Sequence, residues 1–372
     1  MTPTSRKRSV ILIAKGYLPD AGGIERYSRD MAQAYSALGY CTYVLTQCSG
    51  PPGIWRDGDV LVENVGQGGG QICIFFRMLW RWRVLRGRHV DMVHATTWRV
   101  SAPAFVLRPS APLVVTVHGR EVLIASGFLK LLMNHILSRA DVVVAVSPTI
   151  ARLARALVTS AKGRWLIAWN GLSFSGAPIN RVGTSKPLRI YTFCRLVERK
   201  NVENAVRAVS ELIRRGRENF CYVIAGDGPM RGSLSLLINE LHLETHVTLL
   251  GHIPEGDICE LYQKADIFLH PQITTANGRD IEGFGLTIAD AMSFGAVAVA
   301  GKDGGPADFI EDGKTGVLVD GRSPVEIADA LEQLLDNDAL RLRVAEAGCM
   351  WVKENLSWRK SAEAILASLP VR

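Results

Sequence analysis

Residues 270–290, HPQITTANGRDIEGFGLTIAD, connect a predicted buried strand to a predicted helix at about 285–294. A strand followed by a loop and a helix is the repeating unit of parallel α/β folds. Glu282 stands directly before Gly283-Phe284-Gly285, and Asp290 follows two helical turns later. A helix that opens with glycines leaves unpaired backbone N–H groups at its positive end. The stretch therefore indicates a site for an anion and for a ligand that approaches the backbone closely.

The spacing of the two acids limits the chemistry of this site. Eight helical residues span about 12 Å, whereas the two carboxylates of a retaining glycosidase lie roughly 5 Å apart. Glu282 and Asp290 therefore cannot flank one scissile bond, but they can contact two parts of an elongated ligand such as a nucleotide sugar. The alternative is structural, with Glu282 capping the helix and Asp290 solvated.

Length and composition exclude several classes of protein. The chain has 372 residues, more than one ordinary core, which indicates two domains. Its seven cysteines lack any Cys-x-x-Cys pair, so a reducing, cytoplasmic location fits better than a disulfide framework or a zinc site. No stretch approaches the roughly 20 apolar residues that cross a bilayer. The formal charge of +7 implies acidic partners, and nucleic acid is the least favoured because no motif for it is present.

Short apolar runs alternate with amphipathic stretches along most of the chain. The alternation predicts an α/β fold of two doubly wound, Rossmann-like domains that face each other across a cleft. Residues 1–175 form the predicted first domain and residues 187–354 the second, with a linker rich in Gly, Pro, Ser and Thr at 172–187. Residues 355–372 form a last helical segment, which is a candidate to cross back to the first domain.

The individual elements follow from the periodicity of apolar residues. Strands are predicted at 10–14, 41–46, 91–94, 113–117, 141–146, 165–169, 188–193, 220–225, 247–250, 267–270 and 296–300. Helices are predicted at about 24–38, 72–86, 128–139, 148–157, 202–215, 230–242, 257–264, 285–294, 324–335, 338–354 and 358–369.

Glycines and cations follow several of these strands. Gly22 and Gly23 open the first helix in the manner of an anion-binding loop, although the Gly-x-Gly-x-x-Gly fingerprint of dinucleotide sites is absent. Arg195 and Lys200 follow the first strand of the second domain, where two cations can hold both phosphates of a diphosphate. Gly226 lies in a strand-to-helix turn that can approach a nucleotide. Simple turns at the glycines and a solvated basic turn at the cations are the alternatives.

His118 is the candidate site residue in the first domain. It ends a predicted strand and is followed by glycine. Because ligand sites of parallel sheets lie at the carboxyl ends of strands, His118 is expected to face the cleft. A purely structural histidine at a strand end is the alternative.

Together these motifs resemble the family 4 retaining glycosyltransferases of the GT-B fold over nearly the whole chain. The resemblance implies that Gly22-Gly23 lines the diphosphate and sugar site, that Arg195 and Lys200 bind the diphosphate, and that the paired acids contact sugar and ribose. The family pattern is Glu-x7-Glu, whereas this chain has Glu282-x7-Asp290, with a shorter acid at the ribose position.

Three further positions depart from the family pattern. Cys194 and Asn201 stand where glycines are common, and Asp308 stands where glutamate is frequent. The first acid and both cations are intact, so the chain is not interpreted as an inactive homologue.

The resemblance implies a metal-independent transfer, with retention of configuration and without a cofactor, from a nucleoside diphosphate sugar to a polysaccharide or lipid-linked glycan. The catalytic candidates are His118, Arg195, Lys200 and Glu282. The candidate donor-binding residues are Gly22, Gly23, Arg195, Lys200, Gly226, Ile253, Glu255, Glu282, Gly283, Phe284, Gly285 and Asp290.

Within this set the cations stabilise the leaving group, Glu282 orients sugar hydroxyls, and His118 positions the sugar or the acceptor. By family position, Ile253 and Glu255 border the base. Glu255 can accept two hydrogen bonds from guanine, which favours GDP-mannose over UDP-glucose or UDP-N-acetylglucosamine. A solvated loop glutamate is the alternative.

Two other functions remain open from the sequence. One is a non-catalytic sensor of nucleotide sugars or glycans on the same fold, which a turnover assay would separate from an enzyme. The other is a Rossmann-type dehydrogenase, which the missing glycine fingerprint disfavours.

The helix predicted at 72–86 suggests a membrane partner. Residues 72–88 contain no acid, and their arginines alternate with large apolar side chains. The arginines are Arg77, Arg81, Arg83, Arg86 and Arg88, and the apolar residues include Phe75, Phe76, Leu79, Trp80 and Trp82. This pattern predicts peripheral attachment to the anionic inner face of the cell membrane. A partly buried helix with a basic solvent face is the alternative.

Overall fold

A computed structural model describes residues 8–158, 164–176 and 187–370. The chain divides into two compact units. The N-terminal unit holds the described residues up to Gly171 together with those from Ser357 onward, and the C-terminal unit runs from Leu172 to Leu356. The linker predicted at 172–187 therefore begins at the boundary between the units, and its residues 177–186 lie outside the described part of the chain.

The described residues of the N-terminal unit form an eight-stranded sheet in the order β3-β4-β2-β1-β5-β6-β7-β8. Its strands are β1 (Ser9–Ala14), β2 (Cys41–Thr46), β3 (Gly53–Asp57), β4 (Val60–Asn64), β5 (Met92–Ala95), β6 (Leu113–Val117), β7 (Val142–Ala145) and β8 (Arg164–Ile167). The central strands consist almost entirely of apolar residues and are buried, as expected for a parallel sheet covered on both faces.

One hairpin of this sheet was not predicted. Strands β3 and β4 pair antiparallel, with Trp55 opposite Val62 and Asp57 opposite Val60, so the sheet is mixed and not purely parallel. The sequence does contain a signal for this hairpin, because Asp57-Gly58 between two runs of β-forming residues is typical of a hairpin turn. Gly58 adopts a positive φ of 59°, as such turns require.

The helices of the N-terminal unit connect the parallel strands. They are α1 (Gly23–Ala37), α2 (Gly70–Leu85), α3 (Ala102–Val106), α4 (Arg120–Leu123), α5 (Gly127–Arg139) and α6 (Pro148–Leu157). At the start of α6 the Ser147 hydroxyl accepts a hydrogen bond from the Ile150 amide at 3.3 Å, and Pro148 occupies the first helical position, as predicted for an N-cap.

Helix α2 is only partly exposed, which corrects one prediction. Trp82 is buried and donates from Nε1 to the Leu107 carbonyl at 2.7 Å. Arg81 forms an ion pair with the buried Glu63. The prediction that Trp82 and Arg81 contact lipid is therefore wrong, because tertiary contacts hold Trp82 at the end of α3 and Arg81 at β4.

The C-terminal unit contains a six-stranded parallel sheet among the described residues, in the order β11-β10-β9-β12-β13-β14. Its strands are β9 (Leu188–Phe193), β10 (Phe220–Ala225), β11 (Val247–Gly251), β12 (Ile267–His270), β13 (Val297–Gly301) and β14 (Val317–Val319). Its helices are α7 (Val202–Arg214), α8 (Arg231–Glu240), α9 (Ile258–Lys264), α10 (Leu286–Ser293), α11 (Pro324–Asp336) and α12 (Asp338–Asn355). Three single 3₁₀ turns lie at Glu198–Lys200, Glu255–Asp257 and Gly305–Asp308.

The last described helix, α13 (Trp358–Ala367), belongs to the N-terminal unit and packs on α1. Trp358 lies edge-on to Tyr27 of α1, with ring centroids 5.6 Å apart. The Ser361 hydroxyl donates to the Trp169 carbonyl of the same unit. No helix among the described residues is long and apolar enough to span a membrane.

Strand order fixes where ligand sites form in each unit. The chain reverses direction across the sheet between β1 and β5 in the N-terminal unit, and between β9 and β12 in the C-terminal unit. Parallel α/β sheets bind ligands beyond the carboxyl ends of the strands at such reversals. The loops that follow β1, β5, β9 and β12 are therefore the places where functional side chains are expected.

Candidate active site

Lys200 and Glu282 meet at the β9/β12 reversal of the C-terminal unit. Lys200 ends the 3₁₀ turn after β9, and Glu282 lies in the loop after β12. The Lys200 Nζ lies 2.5 Å from Glu282 Oε2, and Arg199 Nε lies 3.7 Å from the same oxygen. Both side chains of the closer pair are about nine-tenths buried. Glu282 is thus an ion-pair partner, and the alternative that it caps the following helix is wrong.

The charge state of Glu282 follows from these neighbours. Burial opposes its ionisation, but the positive charges of Lys200 and Arg199 outweigh burial and lower the pKa of Glu282 to about 2. The site therefore holds a carboxylate next to an ammonium group at physiological pH. A group of this kind accepts hydrogen bonds from ligand hydroxyls.

Two buried residues at the carboxyl end of β12, His270 and Gln272, continue this cluster, and sequence reasoning missed both. His270 Nε2 lies 3.2 Å from Lys200 Nζ, and His270 Nδ1 lies 2.9 Å from Gln272 Oε1. His270 ends a strand at the carboxyl edge of the sheet, and that position in the sequence was the signal that could have identified it.

Arg195 lies in the same turn as Lys200 but in a different environment. It is exposed, and its guanidinium has no ion-pair or hydrogen-bond partner among the residues at 8–158, 164–176 and 187–370. An arginine without an internal partner can bind an anion without first losing a contact.

The turn that contains Gly226 packs tightly, as predicted, against the strand-end turn that carries Arg195. Gly226 has φ 120°, and a Cβ there would lie 1.9 Å from the Cys194 carbonyl oxygen. The Leu196 amide donates to the Asp227 carbonyl at 2.9 Å. Any side chain at position 226 would push the two turns apart, so glycine there maintains the position of the Arg195 backbone.

The N-terminus of α10 provides unpaired backbone donors. The helix begins at Leu286 after Gly285, and the amide groups of Gly283 and Gly285 have no hydrogen-bond acceptor within the described part of the chain. The ring of Phe284 is buried and lies 5.2 Å from the ring of Phe309. Residues 283–285 can therefore contact a ligand through their backbone, while the Phe284 side chain anchors the loop in the core.

Asp290 is buried in α10 and is not solvated, so that alternative is wrong. Its Oδ1 accepts hydrogen bonds from the Ser173 amide at 2.9 Å and the Phe174 amide at 3.3 Å. The carboxylate thereby fixes the first residues of the C-terminal unit. Its predicted contact with ribose stays a prediction.

The candidate base-binding residues lie after β11. Ile253 is partly exposed, and Glu255 is exposed at the start of a 3₁₀ turn. Their contact with a base stays a prediction.

In the N-terminal unit, Gly22 precedes α1 and Gly23 is its first residue. The carboxylate of Glu25 folds back over this loop, so a Cβ at Gly22 would lie 2.2 Å from Glu25 Oε2. Sequence reasoning did not single out Glu25, although Glu25 follows the glycine pair by two residues.

His118 directly follows β6 and is held in one tautomer. Its Nε2 lies 2.9 Å from the Thr96 carbonyl oxygen, which only accepts, so Nε2 carries the proton. Burial is the largest influence on His118 and lowers its pKa, so the ring is neutral. Its Nδ1 has no hydrogen-bond partner among the described residues and is left as an acceptor. The Tyr27 ring packs edge-on at 4.8 Å and fixes the orientation of the imidazole.

The departure from the family pattern at Asn201 has a structural explanation. Asn201 adopts a left-handed conformation with φ 56°, which asparagine tolerates better than most residues. Its side-chain amide donates to the carbonyls of Pro271 at 2.8 Å and Gly321 at 2.6 Å. These bonds connect the Lys200 turn to the loop after β12 and to the loop after β14.

Comparisons with known proteins identify the family. Residues 21–173 match Glycosyltransferase Family 4, and residues 181–351 match the family described as glycosyl transferases group 1. The GDP-mannose-dependent alpha-(1-6)-phosphatidylinositol monomannoside mannosyltransferase of Mycobacterium tuberculosis is 30% identical over 283 residues, which cover 71% of this chain and 72% of the relative.

Two solved structures share the fold. Sucrose-phosphate synthase from Thermosynechococcus elongatus has a TM-score of 0.81 at 20% identity and covers 96% of this chain and 97% of its own. Anabaena HepE, solved in complex with UDP and glucose, has a TM-score of 0.74 at 19% identity and covers 97% of this chain and 99% of its own.

These findings exclude the dehydrogenase alternative and confirm the predicted family and fold. With a 30% identical relative matched over more than two thirds of its length, and with two parallel-sheet α/β units like those of glycosyltransferase structures, the chain belongs to the family 4 glycosyltransferases of the GT-B fold.

Proposed function

We propose that this glycosyltransferase is metal-independent and transfers a hexose, with retention of configuration, from a nucleoside diphosphate sugar to a lipid-linked or polysaccharide glycan. The observation that carries the proposal is the buried Lys200–Glu282 ion pair at the β9/β12 reversal, together with Arg195 in the loop after β9, which has no partner among the described residues. Two cations next to an ionised carboxylate suit a diphosphate attached to a sugar.

In this proposal Arg195 and Lys200 bind the diphosphate and stabilise it as the leaving group. Breaking the bond between the sugar and the diphosphate concentrates negative charge on the phosphate oxygens. Fixed cations and the N–H groups of Gly283 and Gly285 stabilise that charge more in the transition state than in the ground state. This assignment needs no metal ion.

Glu282 and His118 take supporting roles. Because Glu282 is already paired with Lys200, it serves to orient sugar hydroxyls and not as a free nucleophile. His118 presents a neutral Nδ1 acceptor for a hydroxyl group of the sugar or the acceptor. The Gly22-Gly23 loop lines the same ligand, and Asp290 contacts the ribose directly or through water.

GDP-mannose is the proposed donor. The Mycobacterium tuberculosis relative is described as GDP-mannose-dependent, and Glu255 is an exposed acid in the position proposed for the base. The same relative is described as acting on a phosphatidylinositol monomannoside, which supports a lipid-linked acceptor for this chain.

The donor is tested by thermal shift and by transfer. GDP-mannose, UDP-glucose, UDP-N-acetylglucosamine and ADP-glucose are screened separately against the full chain, and the one bound is used in a transfer assay with product anomer assignment by NMR. A donor at 100 times its Kd should stabilise the protein by about 2.7 kcal/mol. EDTA should leave the rate unchanged. An inverted product, a metal requirement, or binding without turnover to any acceptor would reject the retaining, metal-free or enzymatic part of the proposal respectively.

Peripheral attachment to the inner, anionic face of the cell membrane is part of the same proposal. Helix α2 exposes a stripe of apolar side chains at every fourth position, and these side chains are between 55% and 73% exposed. The stripe consists of Ile72, Phe76, Trp80 and Val84. Arg83 of the same helix and Arg86, which directly follows its last residue, are also exposed. This arrangement suits an interfacial helix that buries its apolar side among lipid headgroups.

Charge and neighbouring helices extend this face. Residues 65–140 contain ten arginine or lysine residues and two acids, a formal charge of +8, so the rest of the chain carries −1. Helix α3, which contacts both α2 and α5, exposes Val106, and α5 exposes Phe128 and Leu131. A surface that is both apolar and basic is better suited to contact anionic lipid than to contact water or another basic protein.

A further inference from the structure

Lys200 is connected to the protein interior by a chain of buried hydrogen bonds. His270 is 1% exposed and Gln272 is fully buried. Lys200 Nζ lies 3.2 Å from His270 Nε2, and His270 Nδ1 lies 2.9 Å from Gln272 Oε1. Gln272 Nε2 donates to the Gly301 carbonyl at 2.7 Å and to the Asp303 carbonyl at 3.0 Å.

The groups at the two ends of this series of hydrogen bonds determine which atom donates and which accepts in every bond of the series. Backbone carbonyls only accept, so the Gln272 amide must present its NH₂ to Gly301 and Asp303 and its oxygen to His270. An ammonium group only donates, so His270 Nε2 must be the acceptor and Nδ1 must carry the proton. Only one orientation of Gln272 and one tautomer of His270 satisfy both ends.

The Lys200 ammonium group has three hydrogens and two partners within the described residues, namely Glu282 and His270. When two hydrogens are fixed, the direction of the third is fixed as well. We propose that His270 and Gln272 are positioning residues, which hold the third N–H of Lys200 toward the diphosphate by keeping His270 in its Nδ1–H tautomer. This inference rests on the proposed function, because it assumes that Lys200 binds the diphosphate.

The arrangement requires a neutral imidazole. The charged groups that face His270 are Lys200 from the turn after β9 and Glu282 from the loop before α10. Burial, followed by the positive charge of Lys200, lowers the pKa of His270 to about 4, so the ring stays neutral above about pH 5. An imidazolium could not accept from Lys200 and would repel it.

A matched pair of variants tests which nitrogen matters. The amide of glutamine reaches the position of His Nε2, so His270→Gln keeps an acceptor for Lys200. The amide of asparagine reaches only the position of Nδ1, so His270→Asn keeps a partner for Gln272 but removes the acceptor that Lys200 has at position 270. Titration calorimetry with GDP and with UDP should show affinity about tenfold or more weaker in His270→Asn, as expected for a lost hydrogen bond to a charged group, and largely recovered in His270→Gln.

Another buried, neutral histidine provides the control for loss of an imidazole. His94 in the N-terminal unit bonds Tyr35 and Thr116 at 2.9 and 2.7 Å, and His94→Asn should leave the affinity for both nucleotides unchanged. Equal affinities in His270→Asn and His270→Gln, whether both normal or both weak, would overturn the positioning role.

A pH series with Gln272→Glu gives a second, independent readout. A carboxylate beside Nδ1 raises the pKa of His270 and favours the imidazolium. The affinity of Gln272→Glu for GDP and UDP, taken relative to that of the wild type, should therefore fall as the pH is lowered from 8 to 5. It should recover when the pH is raised again to 8. Taking the ratio of the two Kd values at each pH removes the titration of the nucleotide itself. A ratio that is constant across this range would contradict the inference.

The Lys200→Ala variant distinguishes diphosphate binding by Lys200 from the positioning role of His270 and Gln272. If it weakens GDP and UDP binding while the His270 and Gln272 variants behave like the wild type, the diphosphate assignment stands and the positioning role is wrong. If Lys200→Ala binds both nucleotides normally, the proposed function of Lys200 fails, and the positioning role fails with it.

Discussion

Arg195 and Lys200 differ in how the fold prepares them for an anion. Lys200 is about nine-tenths buried, ion-paired with Glu282 and hydrogen-bonded to His270, so its position is determined before a ligand binds. Arg195 is exposed and has no partner among the described residues. Substitution of Lys200 therefore affects both stability and binding, because it leaves a buried carboxylate with one fewer cation. Substitution of Arg195 tests binding alone.

We predict that Arg195→Ala weakens binding of the nucleoside diphosphate by about 1.5–3 kcal/mol and lowers transfer by orders of magnitude, while the thermal midpoint stays within about 1 °C of the wild type. Calorimetric titration, a transfer assay and thermal unfolding measure the three quantities. Arg343→Ala is the matched control, because Arg343 is exposed and has no ion-pair partner among the described residues. Normal transfer by Arg195→Ala would reject its role at the diphosphate.

Asp290 makes a different prediction, because its carboxylate binds two backbone amides. Asp290→Ala leaves the amides of Ser173 and Phe174 without their acceptor and should destabilise the C-terminal unit by about 1–3 kcal/mol. Asp290→Asn retains an acceptor oxygen and should recover most of that loss. Chemical denaturation measures both effects.

The ribose role of Asp290 is measured separately, by titration of GDP against the Asp290→Asn and Asp290→Glu variants, which are expected to fold. Weaker binding in the asparagine variant with normal binding in the glutamate variant would support a contact that needs the charge. Normal binding in both would restrict Asp290 to its structural role.

Helix α2 shows how far an element can be understood from its sequence. The arginine-rich, acid-free stretch was visible, but the side chains that face the protein were not, because contacts with Glu63 and Leu107 depend on residues distant in the sequence. The exposed apolar set shares Phe76 and Trp80 with the predicted one but also contains Ile72 and Val84, which were not predicted. It defines which substitutions probe the surface without disturbing the core.

We predict that the full chain sediments with anionic vesicles and not with neutral ones, and that rising salt weakens the association. Replacing Arg83 and Arg86 by glutamate should abolish it, while nucleotide binding stays normal. Replacing Phe76 and Trp80 by serine should weaken it even at low salt, because the apolar contribution is lost.

The matched control reverses the same amount of charge elsewhere. Arg152→Glu combined with Arg343→Glu changes two exposed arginines outside α2 and should leave sedimentation nearly unchanged. If this control loses binding to the same extent, the attraction reflects overall charge and not the α2 surface. Equal sedimentation with neutral vesicles, or no sedimentation with either kind of vesicle, would contradict the proposed attachment.

Most elements of both sheets followed from apolar periodicity, because a strand buried on both faces must be almost wholly apolar, as β6 and β7 are. The β3–β4 hairpin was missed because its residues are half exposed and their pattern is less regular.

For the site, the sequence indicated Lys200 and Glu282 separately. That they touch depends on β9 and β12 being neighbours, although 82 positions separate the two residues. His270 and Gln272 were missed because their roles exist only through that pairing.

At the scale of the whole molecule, the chain leaves the N-terminal unit once and returns to it. Gly171 is the last residue before the C-terminal unit, and Ser357 is the first after it. Helix α13 then completes the N-terminal unit by burying Ala362 and Ile365 and by packing Trp358 against Tyr27. The stability of the N-terminal unit thus depends on residues at the opposite end of the chain.

We predict that ending the chain after Leu356 lowers the melting temperature of the N-terminal unit and leaves that of the C-terminal unit unchanged. Scanning calorimetry in the presence and absence of GDP identifies the C-terminal transition as the one that the nucleotide raises. Glu363→Ala is the control, because Glu363 is an exposed residue of α13 and its ion-pair partner within the described part of the chain is the exposed Arg359. A uniform shift of both transitions would contradict the assignment of α13 to the N-terminal unit.

The chain leaves the N-terminal unit after Gly171 and rejoins it at Ser357, and these two places are close together. A Cβ on Gly171 would lie 2.2 Å from the Trp358 backbone nitrogen, so the two crossings of the chain touch where they leave and rejoin the N-terminal unit. In terms of gene architecture, residues 172–356 are an insertion whose two ends meet at one place on the host. A C-terminal unit from a relative can therefore be exchanged as one uninterrupted cassette with two adjacent junctions, and under the proposed function that cassette would carry Arg195, Lys200 and Glu282 with it.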